Sequence, residues 1–263
     1  MQPLVDADIL LYECGWVAEY GMEDIPPFSV AEDFLLNRIE GIKNAVGATA
    51  PPIFYLTGKG NFRIDIAQRK AYKGNRKDLP KPYHYDNLKV YLRDVLGAII
   101  VDGIEADDAM CIEQTKRLAM KDTVICTRDK DLRQCPGWHY GWESGKQGEF
   151  YLQEVDELGW LKRNDKKVSG VGSKFFYYQL LVGDTTDNIP GCPKIGPVKA
   201  FDIISELDND IDMYNAVFAS YVKVFGDDAE QELTEQAYLL WMVRELDEDG
   251  NPVMWRKPEW KRT

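Results

Sequence analysis

Four short apolar runs in the first half of the chain constrain its fold more than any other feature. They read PLVDAD, PPIFYLTGKG, GAIIVDG and DTVICTRDKD, and turn-forming residues bound them. Segments of helical length separate the runs at roughly 31–47, 86–96 and 106–121. Short buried strands that alternate with helices are typical of a parallel sheet with helices on its faces. The sequence therefore predicts an α/β fold with a mainly parallel central sheet.

The second half of the chain has a different pattern. Aromatic residues on either side of ESGKQG predict a β-hairpin at the sheet edge over 137–155. Helical segments then follow, from about residue 166 to residue 263. We place the boundary in the polar segment KRNDKKVSG, which divides the chain into 1–165 and 166–263.

Charge is distributed unevenly along the chain. The formal net charge is −12, and the segment 202–249, with fourteen acidic and two basic residues, accounts for all of it. The segment 59–93 carries ten basic residues and is a clear basic block. Such a block is suited to the phosphates of nucleic acid, although the whole protein is acidic. The acidic segment is interpreted as solvated helix faces, or as a surface that repels DNA or meets a basic partner.

Acidic residues recur where the apolar runs end. They are Asp6 after the first run, Glu105, Asp107 and Asp108 after the third, and Asp129 and Asp131 after the fourth. The carboxyl ends of parallel strands meet at one edge of a sheet, which is where such folds bind ligands. With two histidines in the chain, these carboxylates favour hard divalent cations such as Mg²⁺. Helix capping and loop solvation remain alternatives for each acid.

The stretch GDTTDNIPGCPKIGPVKA, residues 183–200, adds two acids and a compact hairpin. Its glycines permit a close approach of backbone N–H groups, and Pro197 suits the first turn of a following helix. A phosphate is the ligand that such a helix start favours. A plain turn between two helices, with Asp184 and Asp187 as turn-forming residues, is the alternative.

Three of these motifs together resemble the 5′-nuclease family. IEADDA, TRDKD and GDTTDNIPGCPKIGPVKA are similar to its acidic and helix–three-turn–helix signatures, and AYKGNRKD resembles its basic arch. The family includes flap endonucleases, the 5′-exonuclease domain of bacterial DNA polymerase I and stand-alone bacteriophage 5′→3′ exonucleases, which the chain resembles most. The resemblance implies a PIN-like nuclease domain over 1–165 with an arch at about 59–93. It places the helix–three-turn–helix at about 174–206.

The resemblance also implies roles for individual residues. The acids that would hold two metal ions are Asp6, Glu105, Asp107, Asp108, Asp129, Asp131, Asp184 and Asp187. Lys73 and Arg76 would contact the scissile phosphate, and replacement of Asp108 should abolish hydrolysis. The implied DNA contacts are Arg63, Lys70, Tyr72, Lys73, Arg76, Lys77, Gly191, Lys194, Gly196 and Lys199. Tyr72 has an ordinary packing role as its alternative.

One position departs from the family pattern. Thr57 stands where the family usually carries an aspartate. A hydroxyl is a poorer cation ligand than a carboxylate, so either Asp8 or another nearby acid compensates, or one metal position is weaker.

The resulting functional prediction is a Mg²⁺-dependent, two-metal 5′→3′ exonuclease or flap endonuclease acting on DNA. Mn²⁺ would substitute for Mg²⁺, and K⁺ at the helix–three-turn–helix and RNA primers in hybrids are further implied options. The alternatives are a PIN-like ribonuclease and a non-catalytic DNA-structure-binding protein. The chain lacks a long apolar run, so we expect a cytoplasmic monomer without membrane contact, in the bacterial host if phage-encoded.

Overall fold

The computed structural model describes residues 1–76 and 79–259. The chain forms two compact units. The first comprises Met1–Gly60, Leu79–Leu132 and Gly137–Glu154, and the second comprises Asn61–Asp78, Arg133–Pro136 and Val155–Thr263. No helix within the described residues combines the length and the apolar character that crossing a bilayer requires.

The elements are numbered along the chain. The strands are β1 Gln2–Asp6, β2 Ile53–Thr57, β3 Ile99–Val101, β4 Thr123–Cys126, β5 Gly137–Gly141, β6 Phe150–Val155, β7 Trp160–Asn164 and β8 Lys167–Val171. The helices are α1 Ala7–Glu19, α2 Phe28–Ala45, α3 Phe62–Ile66, α4 Tyr85–Asp94, α5 Ala106–Lys116, α6 Gly172–Val182, α7 Pro197–Ile204, α8 Asp210–Phe225 and α9 Ala229–Leu240. The 3₁₀ turns are Gly74–Arg76, Leu118–Met120, Asp131–Gln134 and Gly226–Asp228.

The first unit is built on a sheet of strand order β3-β2-β1-β4-β5-β6. The pairs β1–β2, β1–β4, β2–β3 and β4–β5 are all parallel, which confirms the predicted mainly parallel sheet. Strand β1 lies at its centre, and the chain order reverses on either side of it. Ligands of such sheets bind at the carboxyl ends of the strands near this reversal.

A buried apolar cluster holds the helices α1, α2 and α4 against this sheet. Its members include Leu10, Leu35, Phe54, Leu88 and Val124, all buried. The helix α1 was not anticipated from the sequence, because the strand β1 ends and the helix begins at adjacent residues. Asp6 makes this junction, since its Oδ1 accepts the backbone N–H of Ile9 at 3.3 Å and caps the new helix.

The second unit is mainly helical and has its own apolar core. Aromatic residues dominate it, including Phe176, Tyr177, Tyr221 and Trp255. The antiparallel hairpin β7–β8 belongs to this unit. Backbone hydrogen bonds from Ser173 to Glu157 and from Lys174 to Leu158 tie the residues before the hairpin to the start of α6.

The division into units therefore falls near residue 155, and not at the predicted boundary of 165 and 166. Sequence polarity near 165 marks the tip of the β7–β8 hairpin, because a two-residue turn separates the strands there. The basic segment 59–93 is also divided. Its first part, which contains α3, belongs to the second unit, whereas α4 belongs to the first.

Arg63 is a buried structural residue. Its side chain is fully buried, and it donates from Nε to the carbonyl of Leu239 at 3.1 Å and from Nη2 to that of Trp241 at 2.7 Å. A buried guanidinium that binds the C-terminal end of α9 does not reach a DNA phosphate. This burial corrects the expectation that Arg63 contacts DNA.

We expect Arg63→Ala to lower the free energy of unfolding by about 3 kcal/mol, because two buried carbonyls lose a charged donor. The exposed Lys70 is the control, and Lys70→Ala should change stability by less than about 0.5 kcal/mol. Urea unfolding followed by tryptophan fluorescence measures both. Equal effects of the two substitutions would contradict the structural role of Arg63.

Candidate functional site

Asp6 is a buried carboxylate at the carboxyl end of the central strand. Only 3% of the residue is exposed, and its Oδ2 accepts the hydroxyl of Thr127 at 2.8 Å. Burial raises the pKa of Asp6 to about 7, and the nearby charges of Asp8 and Asp129 raise it further. Three acids from two adjacent strand ends therefore meet without full compensation of their charge.

Thr57 organises the neighbouring strand end. Its backbone N–H donates to Oδ2 of Asp8 at 2.9 Å, and its hydroxyl oxygen accepts the N–H of Ala106 at 3.1 Å. The residue thus holds the Asp8 carboxylate and the first turn of α5 at the end of β2. The sequence offered Asp8 as the acid that compensates for Thr57, and the structure places Asp8 within electrostatic reach of Asp6.

The loop after β4 brings Asp129 and Asp131 toward the same strand ends. The N–H of Asp129 donates to Oγ1 of Thr127 at 2.9 Å, and the N–H of Asp131 donates to Oδ1 of Asp129 at 2.9 Å. Lys130 forms an ion pair with Asp131 at 2.9 Å. Thr127 therefore connects the Asp129 loop to the Asp6 carboxylate.

The three acids at the start of α5 have unequal environments. Glu105 and Asp108 are buried and cap the helix reciprocally, with the N–H of Glu105 donating to Oδ2 of Asp108 at 3.2 Å. This is the capping arrangement that the sequence left open as an alternative. Asp107 is partly exposed. The helix itself packs against β1, β2, β3 and β4.

These acids fit a hard divalent cation in donor chemistry. Carboxylate oxygens are the ligands that Mg²⁺ prefers. The raised pKa of Asp6 shows that its ionised form is unfavourable where it is buried beside other acids, and a cation would stabilise that form. Among residues 1–76 and 79–259, no three His, Cys, Asp or Glu side chains stand in a geometry that could hold one ion.

Asp184 and Asp187 lie in the second unit, in a tight turn after α6. The carboxylate of Asp184 is buried, and its Oδ1 accepts the N–H groups of Thr186 at 2.7 Å and Asp187 at 3.4 Å. Backbone bonds join Asp184 and Ile189 in both directions. Residues 184–188 are called the acid turn from here on.

Residues 71–76, which include Lys73 and Arg76 and which we call the arch segment, pack on the acid turn. Lys73 donates its N–H to the carbonyl of Asp187 at 2.9 Å. The carboxylate of Asp187 accepts Nη2 of Arg76 at 2.5 Å and the hydroxyl of Tyr72 at 3.1 Å. The Lys73 ammonium lies 3.9 Å from the same carboxylate. The predicted phosphate contacts Lys73 and Arg76 thus share one acid.

The structure separates the other predicted DNA contacts by exposure. Tyr72 is buried in the core of the second unit, which supports its packing role over the expected DNA contact. Four predicted contacts are exposed: Lys70, Lys194, Gly196 and Lys199. Lys77 lies outside the described residues.

Gly191 is held internally. Its N–H donates to Oε1 of Gln236 at 3.0 Å, and its carbonyl accepts Nη1 of Arg69 at 3.2 Å. It has a left-handed φ of 64°, and a Cβ there would collide with the backbone of Gly183. Its backbone groups are engaged within the unit, which corrects the expectation that Gly191 contacts DNA.

Helix α9 anchors the basic segment, and through Gln236 it also anchors the turn at Gly191. Oε1 of Glu235 accepts the N–H groups of Gln68 and Arg69, each at 2.9 Å. Glu232 forms an ion pair with Arg69 at 3.0 Å. Part of the acidic segment 202–249 thus holds basic chain in place. The sequence did not single out Arg69 as a structural residue. The only sign of this role was the presence of an acid-rich segment elsewhere in a chain that also has a basic block.

Comparisons with known proteins agree with this architecture. No protein-family model matches the chain. The chain is 29% identical to flap endonuclease Xni of Shewanella halifaxensis over 58% of its length and 60% of the relative's. It is 25% identical to DNA polymerase I of Pseudomonas aeruginosa, and this match covers 94% of the chain but only 27% of that protein. It is 27% identical to a 5′-3′ exonuclease of Buchnera aphidicola, over 78% of the chain and 64% of the relative.

Solved structures show the same fold. The T5 D15 protein co-crystallised with metal ions matches with a TM-score of 0.55 and 16% identity, over 91% of this chain and 93% of the other. The catalytic core of Rad2 in complex with a DNA substrate matches with a TM-score of 0.52 and 15% identity, over 98% and 84%. At these identities the likeness is one of fold.

The chain thus has an α/β unit and a helical second part, a fold that it shares with the T5 D15 protein. Its relatives in sequence include proteins named 5′-3′ exonuclease, flap endonuclease Xni and DNA polymerase I. These similarities agree with the resemblance to the 5′-nuclease family that the motifs indicated.

The raised pKa of Asp6 predicts a pH-dependent stability without metal. A folded-state pKa of about 7, against an ordinary 3.8, means that stability is lost as pH rises through this window. Asp6→Asn cannot ionise, so its stability relative to wild type should be greater at pH 8 than at pH 5 by about 3 kcal/mol. Urea unfolding in EDTA measures this difference. Asp33→Asn, at an exposed position in α2, should show no such pH dependence, and a pH-independent effect of Asp6→Asn would contradict the assignment.

The two hairpin glycines predict opposite tolerance to a side chain. Gly191→Ala should lower the free energy of unfolding by more than about 2 kcal/mol, since it combines a left-handed φ with a backbone collision. Gly196→Ala, where a Cβ meets nothing within 4 Å, should cost less than about 1 kcal/mol. Thermal unfolding of both variants checks the ranking, which the reverse order would refute.

Proposed function

We propose that the protein is a Mg²⁺-dependent 5′→3′ exonuclease or flap endonuclease that hydrolyses DNA phosphodiesters from 5′ ends. The observation that carries the proposal is the buried Asp6 carboxylate, whose pKa is raised beside Asp8 and Asp129 at the carboxyl end of the central strand. Burial among other acids makes the ionised form of Asp6 unfavourable, and a bound cation would stabilise that form in competition with a proton. The names of the sequence relatives, flap endonuclease and 5′-3′ exonuclease, support the reaction class.

The proposed metal ligands of the first unit are Asp6, Asp8, Glu105, Asp107, Asp108, Asp129 and Asp131. The family resemblance implies the same role for Asp184 and Asp187. Bound Mg²⁺ would supply Lewis-acid stabilisation of the phosphate and a water of lowered pKa. The protein would orient these ligands through the hydroxyls of Thr57 and Thr127, which bind the backbone of Ala106 and the side chain of Asp6. Asp8 would thereby provide the carboxylate that Thr57 lacks.

The proposed DNA contacts lie on the arch segment and the hairpin before α7. Lys73 and Arg76 would bind the backbone phosphate near the reacting bond. The exposed Lys194, Gly196 and Lys199 would bind duplex phosphates at the start of α7. These contacts carry no base information, so recognition would follow the structure of the DNA end and not its sequence. Lys70 would extend the same basic track.

The proposal predicts that cleavage of flap DNA requires a divalent metal ion and the carboxylate of Asp6. With a 5′-labelled flap DNA, the wild type should release 5′ fragments in Mg²⁺ and none in EDTA, and Mn²⁺ should restore cleavage. Asp6→Asn should reduce the single-turnover rate by at least about 100-fold, since a buried ligand is lost. Asp33→Asn, with the same charge change on α2, should leave the rate unchanged. Equal rates for the two variants would overturn the assignment of Asp6.

The same assay separates the other candidates. A matched RNA flap that is cleaved faster than DNA would favour a ribonuclease. Binding without cleavage in either metal would favour a DNA-structure-binding protein. Fragment lengths from one labelled flap distinguish exonucleolytic removal from cutting at the junction, and an RNA-primed strand tests hybrid substrates.

A further inference from the structure

Four hydrogen bonds to backbone atoms fix the arch segment on the acid turn. One joins the N–H of Lys73 to the carbonyl of Asp187. Asn75 Nδ2 donates to the carbonyl of Thr185 at 3.0 Å, and Arg76 Nε donates to that of Thr186 at 3.1 Å. Asn188 Nδ2 returns a bond to the carbonyl of Ala71 at 2.9 Å. The two basic side chains therefore start from a defined backbone position.

Left-handed backbone conformations occur on both sides of this contact. Lys73 has a φ of 52° and Asn188 a φ of 62°. Asparagine tolerates this region, whereas for lysine it costs about 1 kcal/mol. The hydrogen bond from the Lys73 N–H to Asp187 offsets this cost. The conformation of Lys73 thus depends on the acid turn.

The two carboxylates of the acid turn have different partners. Asp184 Oδ1 binds N–H groups of its own turn. Asp187 instead accepts Arg76 and Tyr72 and lies near Lys73. The side chains of Arg76 and Asp187 are 37% and 15% exposed, so water screens their attraction in part. Ion pairs of this kind are weak, and a phosphate can compete with the carboxylate.

We propose that Asp187 is a positioning residue for Lys73 and Arg76. Without DNA, its carboxylate is the counter-ion of both cations and holds them over the acid turn. A phosphate of bound DNA replaces the carboxylate as their counter-ion. This inference rests on the proposed function, because it takes DNA as the ligand. It gives Asp187 a role that does not require a metal ion.

The replacement of one counter-ion by another has a measurable consequence. Binding of DNA releases condensed cations in proportion to the phosphates that are neutralised. A protein that must first give up an internal carboxylate gains less from each phosphate. Removal of that carboxylate should therefore tighten DNA binding and increase its dependence on salt. Loss of a metal ligand would do neither in EDTA.

The test compares Asp187→Asn with Asp227→Asn in the whole chain. Both substitutions remove one negative charge from the second unit, and Asp227 is an exposed residue outside the proposed metal and DNA contacts. Fluorescence anisotropy with a 5′-flap DNA in EDTA, over a series of KCl concentrations, gives the affinities. Asp187→Asn should tighten binding about 3- to 10-fold and steepen the slope of log K against log[KCl] by about one. Asp227→Asn should change the affinity less than about 2-fold.

A cycle with Arg76→Gln tests the named pair. In the Arg76→Gln background, Asp187→Asn should gain less affinity than in the wild type, because one of its two cations is gone. Asp187→Glu keeps the negative charge and should bind DNA as tightly as the wild type does. If Asp187→Asn does not fold, the affinity of Asp187→Glu still tests the proposal. In that case, tighter binding by Asp187→Glu would overturn the proposal.

The single-turnover rate in Mg²⁺ supplies a second readout. Asp187→Asn should bind more tightly and cleave more slowly, whereas a merely structural loss would weaken both. Equal affinities of Asp187→Asn and Asp227→Asn, with wild-type binding intact, would overturn this inference alone. Absence of flap binding by the wild type would overturn the proposed function together with it.

Discussion

The burial of Asp6 at the end of β1 is the constraint on which the first unit depends. Its carboxylate caps α1, accepts the hydroxyl of Thr127 and lies near two further acids. The same side chain therefore fixes the strand-to-helix junction and carries an unfavourable charge. A fold that needed only the cap would be served by an exposed aspartate. Burial of the charge among other acids is unfavourable for folding, which is typical of functional sites.

In the second unit, two arginines of the basic segment are bound within the unit. Arg63 binds carbonyls at the end of α9, and Arg69 joins Glu232 to the carbonyl of Gly191. The basic block is thus partly structural. Fewer of its positive charges can bind a ligand than its net charge suggests, because Arg63 and Arg69 are already bound within the unit. The acidic helix α9 is likewise an anchor for the chain that leads to the arch segment. Opposite charges in two distant sequence segments are here a sign of packing.

The sequence predicted the sheet and the positions of the acids because both follow from local pattern. Apolar runs set the parallel strands, and the acids stand directly after them. It could not predict the end of the first unit, since the polar segment near 165 is only a hairpin tip. Nor could it show that Arg63 is buried, because a buried and an exposed arginine in a basic block look the same. Burial depends on contacts with α9, more than 170 residues away.

The roles of Thr57 and Asp187 show why residue type alone is an incomplete guide to a site. Thr57 departs from the family pattern, yet its backbone holds Asp8 and its hydroxyl holds α5. Asp187 agrees with the pattern, yet its carboxylate binds Arg76 and Tyr72. In both cases the partner decides the function of the side chain. A carboxylate held by two cations must exchange partners before it binds anything else, so the arrival of DNA and the readiness of Asp187 are coupled through Lys73 and Arg76.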